Sequence, residues 1–398
     1  MQRLLSTLFL ILALAAANAK GGLPQGLGQE ASVGVYIKDL KTGKVLADEN
    51  AQKSFTPASI QKSLPVAAAL TKLGPDYRFT TTVTLEGKRQ GNQLRGNVVI
   101  NPSGDPTIGG RGNEDDGFVK GVADAIAATG IKSITGTVIV DDKKWPDKGF
   151  NPNWEISDSK YDYGVGWWPM NFHHNMVLVR GRKKRSSWQP TKNPSSVVTS
   201  KIIAALKAKG ITVGKTPIAN PKGKTELVYT FTSEPLSELA RDLMHRSDNL
   251  MAEAVLRALA PGKSRQDAID AEFKILKEQG ANLGKISQYD GSGLARSNSL
   301  TPRAMGSLLE AMAGNQTYVD VFPRAGCDGT VKKFLKDTPF EGCLAVKSGS
   351  MKRVVCYAGY LTDENGAPTH VVVLMVNGSV KSGNEIRKSL QEFLLKTL

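Results

Sequence analysis

The chain opens with one positive charge followed by an apolar run. Arg3 precedes apolar residues from Leu4 to Ala17, and the run closes on Ala17-Asn18-Ala19. A basic start, an apolar centre too short to span a membrane and a small-x-small end are typical of a secretory signal peptide. We therefore predict that residues 1–19 are a signal peptide, cleaved near Ala19, and that the protein is exported to the periplasm.

The next residues predict a hairpin and then a helix. The stretch ASVGVYIKDLKTGKVLADEN alternates apolar and polar positions around Lys41-Thr42-Gly43, as two antiparallel strands joined by a glycine turn would. The stretch FTPASIQKSLPVAAAL that follows is rich in alanine. Thr56 is a favourable N-cap and Pro57 suits a first helical position, so a helix is predicted to begin there.

From 81 to 227 the pattern changes. Short alternating stretches such as FTTTVTLEG, LRGNVVI and GTVIVDD lie among Gly, Pro and Asn, and two helical stretches, GFVKGVADAIAATG and PSSVVTSKIIAALKAKG, interrupt them. This mixture predicts an inserted α+β domain. Residues 20–80 and 228–398 then form one domain, in which helices are followed by three strands. A terminal amphipathic helix from Asn384 is expected to pack on those strands rather than anchor a membrane, because its apolar stripe is short.

The net charge indicates which partners the protein attracts. The net charge is +15, which gives an exported protein a long-range attraction for anionic cell-wall polymer or phospholipid head groups. Nucleic acid is disfavoured as a partner by the export signal. The densest basic cluster is compatible with either a solvated loop or a polymer-binding patch, and comprises Arg180, Arg182, Lys183, Lys184 and Arg185.

Three cysteines predict one disulfide and one free thiol in an oxidising compartment. Cys356 lies in RVVCYAGYL, which is typical of a buried strand, so the favoured bridge is Cys327–Cys343. The cysteine spacing does not fit a zinc site. No metal or cofactor is expected.

The first element of candidate chemistry is Ser59-Ile60-Gln61-Lys62. On a helix, residues three apart share a face, so the Ser59 hydroxyl would meet the Lys62 amine. A buried lysine with a lowered pKa can take the serine proton and so activate a nucleophile without histidine. A second match, from Ser157 to Lys160, lies among residues that disfavour a helix and is set aside.

Two further elements follow in the chain. Ser247-Asp248-Asn249 interrupts a helical run and could present its hydroxyl and amide to a cleft. The stretch LAVKSGSM predicts a strand, and in it Gly349 would permit close approach of a ligand.

Two related tripeptides compete with this one. Lys41-Thr42-Gly43 is predicted to be a turn, and Lys381-Ser382-Gly383 begins the last helix. Only LAVKSGSM both follows the Ser-Xaa-Xaa-Lys and Ser-Asp-Asn elements and forms part of a candidate edge strand. The order S-x-x-K, S-D-N, K-[ST]-G is that of penicillin-binding proteins and class A β-lactamases.

The chain resembles the D-alanyl-D-alanine carboxypeptidase/endopeptidase family of low-molecular-mass penicillin-binding proteins, the S13 serine peptidases. The resemblance covers nearly the whole chain after the signal peptide and rests on PASIQK, SGDPTIGG, SDNLMAE, YDGSGLARSNSLTP, AGCDGTV, VKSGSM and AGYLTDENG. It implies an α/β (α+β) transpeptidase fold, with an antiparallel sheet flanked by helices and an inserted domain. The separation of 188 positions from Ser59 to Ser247 fits this family better than a class A β-lactamase, in which that gap is much shorter.

The resemblance implies a role for each matched residue. Ser59 would be the nucleophile and Lys62 its general base, and Ser247 would relay a proton to the leaving amine. The backbone N–H groups of Ser59 and Ser350 would form the oxyanion hole, which is usually the largest electrostatic contribution to such catalysis.

The remaining matched residues would bind the substrate. Asn249 would hold the substrate's peptide amide, Lys347 would supply positive potential, and Ser348 would bind the terminal carboxylate. Asp141, in VIVDDKKW, would meet the amine of a diamino-acid side chain. Serine stands at 348 and 350 where threonine is usual, and each retains a hydroxyl.

These expectations define a serine peptidase that cleaves D-Ala–D-Ala bonds in peptidoglycan stem peptides and is acylated by β-lactams at Ser59. A leaving amine from a neighbouring stem peptide would make it an endopeptidase. The alternatives are a serine β-lactamase and a non-catalytic wall-binding protein.

Overall fold

The computed structural model describes residues 23–112, 114–180 and 186–398. The predicted signal peptide and four members of the basic cluster, residues 182–185, lie outside these ranges. Within the described residues, no helix is both long enough and apolar enough to cross a membrane.

Thirteen strands are described in chain order: β1 Ser32–Asp39, β2 Val45–Glu49, β3 Thr80–Gln90, β4 Gln93–Asn101, β5 Ser133–Ile134, β6 Val138–Val140, β7 Met176–Arg180, β8 Ser186–Pro190, β9 Thr212–Val213, β10 Lys224–Thr232, β11 Leu344–Met351, β12 Val354–Thr362 and β13 Pro368–Asn377. The α-helices are α1 Ser63–Lys72, α2 Phe118–Ala128, α3 Pro194–Ala208, α4 Leu236–Arg246, α5 Asn249–Ala258, α6 Arg265–Glu278, α7 Pro302–Met312, α8 Gln316–Asp320 and α9 Gly383–Thr397. Short 3-10 turns lie at Ala58–Lys62, Ile156–Lys160, Asp162–Gly164, His173–Asn175 and Gly329–Val331.

The first sheet is antiparallel and has the order β11-β12-β13-β1-β2. Its edge strand β11 spans the stretch LAVKSGSM, as predicted. The hairpin predicted around Lys41-Thr42-Gly43 is confirmed as β1 and β2, and Gly43 has the positive φ of +72° that the turn requires. Ser382 caps α9 by accepting a hydrogen bond from the Glu385 N–H, so Lys381-Ser382-Gly383 is a helix start, as predicted.

Both faces of the first sheet are covered. Along β13, Val371, Val373 and Met375 join the core formed with helices α1, α4, α5 and α7. The residues between them, Val372, Leu374 and Val376, face the opposite side, because side chains alternate along a strand. There they pack with the apolar residues of α9, so the terminal helix lies on the sheet, as predicted.

The second sheet has the order β10-β3-β4-β5-β9, with β6 also paired to β4. It contributes a separate core with helices α2 and α3. The predicted boundary between 227 and 228 falls inside β10, which pairs with β3 from Lys224 to Thr232. The second sheet therefore uses strands from Thr80 to Thr232, a few residues more than the sequence indicated. We refer to residues 80–232 as the second-sheet segment.

The expected Cys327–Cys343 bridge is not formed: Cys327, Cys343 and Cys356 are all free thiols. Each of the two candidate partners lies in its own tight turn. The Cys327 N–H donates to Arg324 O, and the Cys343 N–H donates to Phe340 O. Cys356 is buried on β12, as predicted.

The helical core encloses an acidic group that is poorly solvated. Glu272 on α6 is fully buried, and neither carboxylate oxygen has a hydrogen-bond partner of good geometry among the described residues. Burial raises the pKa of Glu272 well above its ordinary value. The nearby Gln288 amide partly offsets this, while the carboxylates of Glu253 and Asp290 add to it.

Replacing Glu272 with Gln is expected to stabilise the protein at neutral and alkaline pH. The folded state keeps a proton on Glu272 where the unfolded chain has lost it, so wild-type stability falls as pH rises above the ordinary pKa of glutamate. The amide does not ionise, and E272Q should gain about 1–3 kcal/mol over wild type at pH 8.

Urea denaturation at pH 5 and pH 8 measures this difference. E278Q is the matched control, because Glu278 is exposed on the same helix. Equal free energies of unfolding for E272Q and wild type at pH 8 would contradict the prediction.

Candidate active site

The predicted nucleophile lies in a tight turn at the start of the central helix. Residues Ala58–Lys62 form a 3-10 turn that continues into α1 at Ser63. The predicted cap at Thr56 is wrong: Pro57 occupies the cap position and makes no side-chain cap bond. Ala58 has a φ of +49°, a left-handed conformation that is strained for alanine. The strain lies immediately before Ser59.

Lys62 is fully buried, and its amine has three oxygen partners. Lys62 Nζ donates to Ser59 Oγ at 3.0 Å, to Asn249 Oδ1 at 2.7 Å and to Ser292 O at 2.5 Å. Burial lowers the pKa of Lys62 to about 8, although nearby carboxylates, first that of Asp290, oppose the shift. A lysine in this state can exchange a proton near neutral pH.

The Ser-Asp-Asn element forms the junction between α4 and α5. Ser247 ends α4 with a φ of +60°, and Asp248 caps α5 by accepting a hydrogen bond from the Met251 N–H at 2.9 Å. Asn249 meets Lys62 through its oxygen and donates through Nδ2 to the Tyr163 carbonyl at 2.8 Å. The junction therefore turns its hydroxyl and its amide toward one cleft, as predicted.

Lys347 reaches the same cleft from the edge strand. It is fully buried, and its Nζ donates to Ser247 Oγ at 2.9 Å and to Ser348 O at 2.6 Å. Burial, and secondly the charge of Lys62, lower the pKa of Lys347 well below its ordinary value. Two buried amines thus contact two serine hydroxyls.

Gly349 allows β11 to lie directly against the nucleophile turn. A Cβ added at Gly349 would lie 2.7 Å from Pro57 O, 2.9 Å from Ser59 N and 3.0 Å from Ile60 N, closer than real Cβ contacts come. On either side of it, Ser348 Oγ lies 2.6 Å from Thr330 Oγ1, and Ser350 lines the cleft. The glycine therefore sets the spacing between the strand and Ser59.

The cleft has a volume of about 330 Å³. It is lined by Ser59, Asp158, Tyr163, Ser247, Asn249, Gly293, Leu294, Arg296, Ser350, Met351 and Lys352.

Asp141 does not line the cleft. Its N–H donates to Ile100 O, which extends the pairing of β6 with β4 and keeps Asp141 exposed in the second sheet. Among the described residues, the acidic one that lines the cleft is Asp158. It lies within the second S-x-x-K match, between Ser157 and Lys160.

The sequence also gave no sign of a buried carboxylate that holds a loop of the site in place. Glu253 Oε1 accepts hydrogen bonds from the backbone N–H groups of Gly291 at 2.9 Å and Ser292 at 3.0 Å. The Ser292 carbonyl is one of the three partners of Lys62. By binding the N–H of the same residue, Glu253 holds that carbonyl in position. Burial raises the pKa of Glu253 to about 7. Glu253 and its loop both lie within motifs quoted above, SDNLMAE and YDGSGLARSNSLTP, but neither motif reveals that they touch.

These features define a class of protein. A serine and a lysine one helical turn apart, a second serine beside a second buried lysine, and a glycine on the edge strand are typical of serine hydrolases of the penicillin-binding type.

The chain matches the model of the D-Ala-D-Ala carboxypeptidase 3 (S13) family over residues 20–187 and 170–397, and it belongs to that family. The predicted family is thereby confirmed.

The chain is similar to two named carboxypeptidases along most of its length. It is 30% identical over 376 residues to carboxypeptidase DacB of Mycolicibacterium smegmatis, covering 89% of this chain and 76% of that protein. It is 25% identical over 458 residues to D-alanyl-D-alanine carboxypeptidase DacB of Haemophilus influenzae, covering 94% and 91% respectively.

Solved structures share the fold. The crystal structure of penicillin binding protein 4 (dacB) from Haemophilus influenzae has a TM-score of 0.79 at 23% identity, covering 92% of this chain and 97% of that one. The Bd0816 predatory endopeptidase of Bdellovibrio bacteriovorus, solved with an immunity protein, has a TM-score of 0.57 at 18% identity, covering 92% of both chains. The predicted transpeptidase-like fold is confirmed.

Replacing Gly349 with Ala is expected to slow acylation by a labelled β-lactam on the order of a hundredfold, because β11 must move away from the nucleophile turn. The measurement is the second-order acylation rate constant. Gly383→Ala is the matched control, because no atom lies within 4 Å of a Cβ added there. Acylation of G349A at the wild-type rate would contradict the spacing argument.

Proposed function

We propose that this protein is a serine D-Ala-D-Ala carboxypeptidase of peptidoglycan stem peptides in which Ser59 is the nucleophile. The observation that carries the proposal is the 3.0 Å contact between Lys62 Nζ and Ser59 Oγ at the buried base of the cleft. A lysine held away from water can accept the serine proton as Oγ attacks the carbonyl carbon of the penultimate D-Ala.

Lys62 and Lys347 are best treated as a pair that shares one proton. Burial disfavours both charges, and each amine would repel a second charge on the other. A substrate carboxylate beside Lys347 would attract that proton to Lys347 and leave Lys62 neutral. Substrate binding would thereby produce the general base that the attack needs.

The cleft offers partners for both ends of the reacting group. The backbone N–H groups of Ser59 and Ser350 are the proposed donors to the oxyanion that forms on the attacked carbonyl. Ser348, beside Thr330, and the cation of Lys347 are the proposed site of the terminal carboxylate. Asn249 would hold the substrate's own amide.

Collapse of the tetrahedral intermediate breaks the peptide C–N bond. We assign to Ser247 the transfer of a proton toward the leaving amine, since its hydroxyl contacts Lys347 Nζ at 2.9 Å. Water then attacks the acyl-enzyme ester and frees Ser59. If the leaving amine belongs to a neighbouring stem peptide, the same steps cleave a crosslink and the activity is that of an endopeptidase.

Asp158 is a better candidate than Asp141 for recognition of a substrate amine. Its side chain lines the cleft that contains Ser59, whereas Asp141 is exposed beyond β6. A carboxylate there would pair with an amine on the third residue of the stem peptide. The neighbouring Lys352 would instead favour an acidic group, whereas Arg296 is already paired with Glu155.

The wider setting follows from the sequence. Signal-peptide cleavage near Ala19 would place the enzyme in the periplasm with its substrate. The net charge of +15 would hold it near anionic wall polymer or lipid. We also propose that the catalytic domain comprises residues up to 79 and from 233 onward, with the second-sheet segment inserted between them.

Acylation by a β-lactam is expected to follow a bell-shaped pH profile. The rate should fall at low pH, where both amines are protonated, and fall again above about pH 8, where the pair loses its last proton. The measurement is the second-order rate constant of acylation from pH 5 to 9.5. A rate that continues to rise steadily above pH 8 would contradict the shared proton.

Wild-type protein is expected to gain the mass of one penicillin, and to release D-Ala from a pentapeptide ending in D-Ala-D-Ala. Ser59→Ala should lose both properties, because no other hydroxyl lies against Lys62 Nζ in the described residues. Ser157→Ala is the matched control, since it removes the serine of the second S-x-x-K match.

Intact mass spectrometry and D-Ala release measure these two properties. An adduct that survives Ser59→Ala would contradict the assignment. An adduct hydrolysed within seconds would favour a β-lactamase, and no adduct or product at all would favour a non-catalytic wall-binding protein.

A further inference from the structure

The middle residue of the Ser-Asp-Asn element is held from outside the catalytic helices. Asp248 is buried, with 6% of its surface exposed. Its Oδ1 caps α5, while its Oδ2 accepts one hydrogen bond from His174 Nε2 at 2.8 Å and another from Arg111 Nη1 at 2.8 Å. Both donors belong to the second-sheet segment. Because a carboxylate only accepts, His174 must carry a proton on Nε2.

His174 is aimed at Asp248 by an unusual turn. Three successive residues, His173, His174 and Asn175, have φ values of 49°, 52° and 52°. A run of left-handed residues without glycine costs roughly 1–2 kcal/mol per residue and persists only where surrounding contacts hold it. The buried Asn175 amide provides these contacts through Phe172 N, Gly166 O and Asn171 Oδ1.

The backbone is also strained on the Asp248 side of its contact with His174. Ser247, next to Asp248, is also left-handed, with a φ of +60°. On the other side, Asn249 Nδ2 donates to the carbonyl of Tyr163, again in the second-sheet segment. Two of the three residues of the element are thus bonded directly to that segment, and the third is held in place by its neighbours.

The charge of Asp248 also depends on this contact. Burial alone would raise the pKa of Asp248, but His174, and then the Met251 N–H and Arg111, hold it well below its ordinary value. Asp248 therefore remains an anion in the interior, and that anion supports the charged form of Lys62. Without its two partners, a buried carboxylate would draw in water or a proton, and the junction that bears Ser247 and Asn249 would rearrange.

We propose that His174 and Arg111 are positioning residues for acyl transfer, which hold Asp248 so that Ser247 meets Lys347 and Asn249 meets Lys62. The inference rests on the proposed function, because it assigns these residues to the acylation step. Neither residue touches the reacting atoms. The second-sheet segment is thereby part of the catalytic apparatus and not only an accessory surface.

Two substitutions of His174 distinguish the effect of its contact with Asp248 from the effect of the strained turn. Gln places an amide nitrogen close to the position of His174 Nε2, whereas Asn reaches only to the position of Nδ1. Asn also tolerates the left-handed backbone at least as well as histidine. His174→Asn should therefore relieve the backbone strain but lose the contact with Asp248. His174→Gln should keep the contact with Asp248.

The experiment measures the acylation of purified full-length variants by a fluorescent penicillin, resolved into binding and the first-order chemical step. We expect H174N to lower the first-order step by about ten- to a hundredfold with little change in binding, because small misplacements of reacting groups cost rate. H174Q should recover most of that loss. His173→Asn makes the same change at the preceding left-handed position without touching the contact, and it should match wild type.

Arg111→Ala provides a second test, because the Arg111 side chain is partly exposed, with an exposure of 38%, and lies outside the strained turn. R111A should slow the same step severalfold, and the double variant R111A/H174N should lose more than either alone. Thermal unfolding and near-ultraviolet circular dichroism identify variants that fail to fold, in which case R111A and H174Q carry the test.

Two outcomes would overturn the inference. One is acylation of folded H174N and R111A at the wild-type rate, and the other is H174Q as slow as H174N. If wild type itself takes no penicillin, the proposed function fails, and that result is distinct from either outcome.

Discussion

The active site depends on one buried cation. The Lys62 amine lies inside the helical core and has three oxygen partners, which come from its own turn, from the α4–α5 junction and from the loop that Glu253 holds. An ammonium group in such a place without partners would cost several kcal/mol. The folded chain therefore has to supply partners for the amine wherever it buries this lysine. Because of this, catalytic geometry and core stability cannot be varied independently.

Sequence reasoning succeeded where the chemistry is local. The tripeptide at Lys347 could be separated from those at Lys41 and Lys381 because strand alternation, a glycine turn and a capping serine are all encoded within about ten residues. The pairing of Ser59 with Lys62 follows equally from helical spacing. These elements account for the sheet edge, for the nucleophile turn and for the core of the candidate site.

Sequence reasoning failed where the contact partner of a residue lies far away along the chain. The Thr56 cap was wrong because Asn377 reaches across from β13 and accepts the Thr56 N–H, which ties this segment to the sheet rather than to a helix start. The family resemblance implied Asp141, whereas the acidic residue that lines the cleft is Asp158, from a segment with no regular sequence pattern. The Glu253 contact joins residues 38 and 39 positions apart. None of these pairs has a periodic signal, and a single sequence does not reveal them.

The long separation between Ser59 and Ser247 in the sequence contains the second-sheet segment, which must itself be held in place. A domain inserted between two catalytic elements could move relative to the cleft if a linker alone connected it. Here β3 and β10, the first and last strands of the segment, pair with each other, so the insertion leaves and returns at one place. From that fixed base it sends Tyr163 to Asn249 and His174 to Asp248. The paired strands and three polar contacts, which include that of Arg111 with Asp248, tie the insertion to the junction between α4 and α5 that lines the cleft.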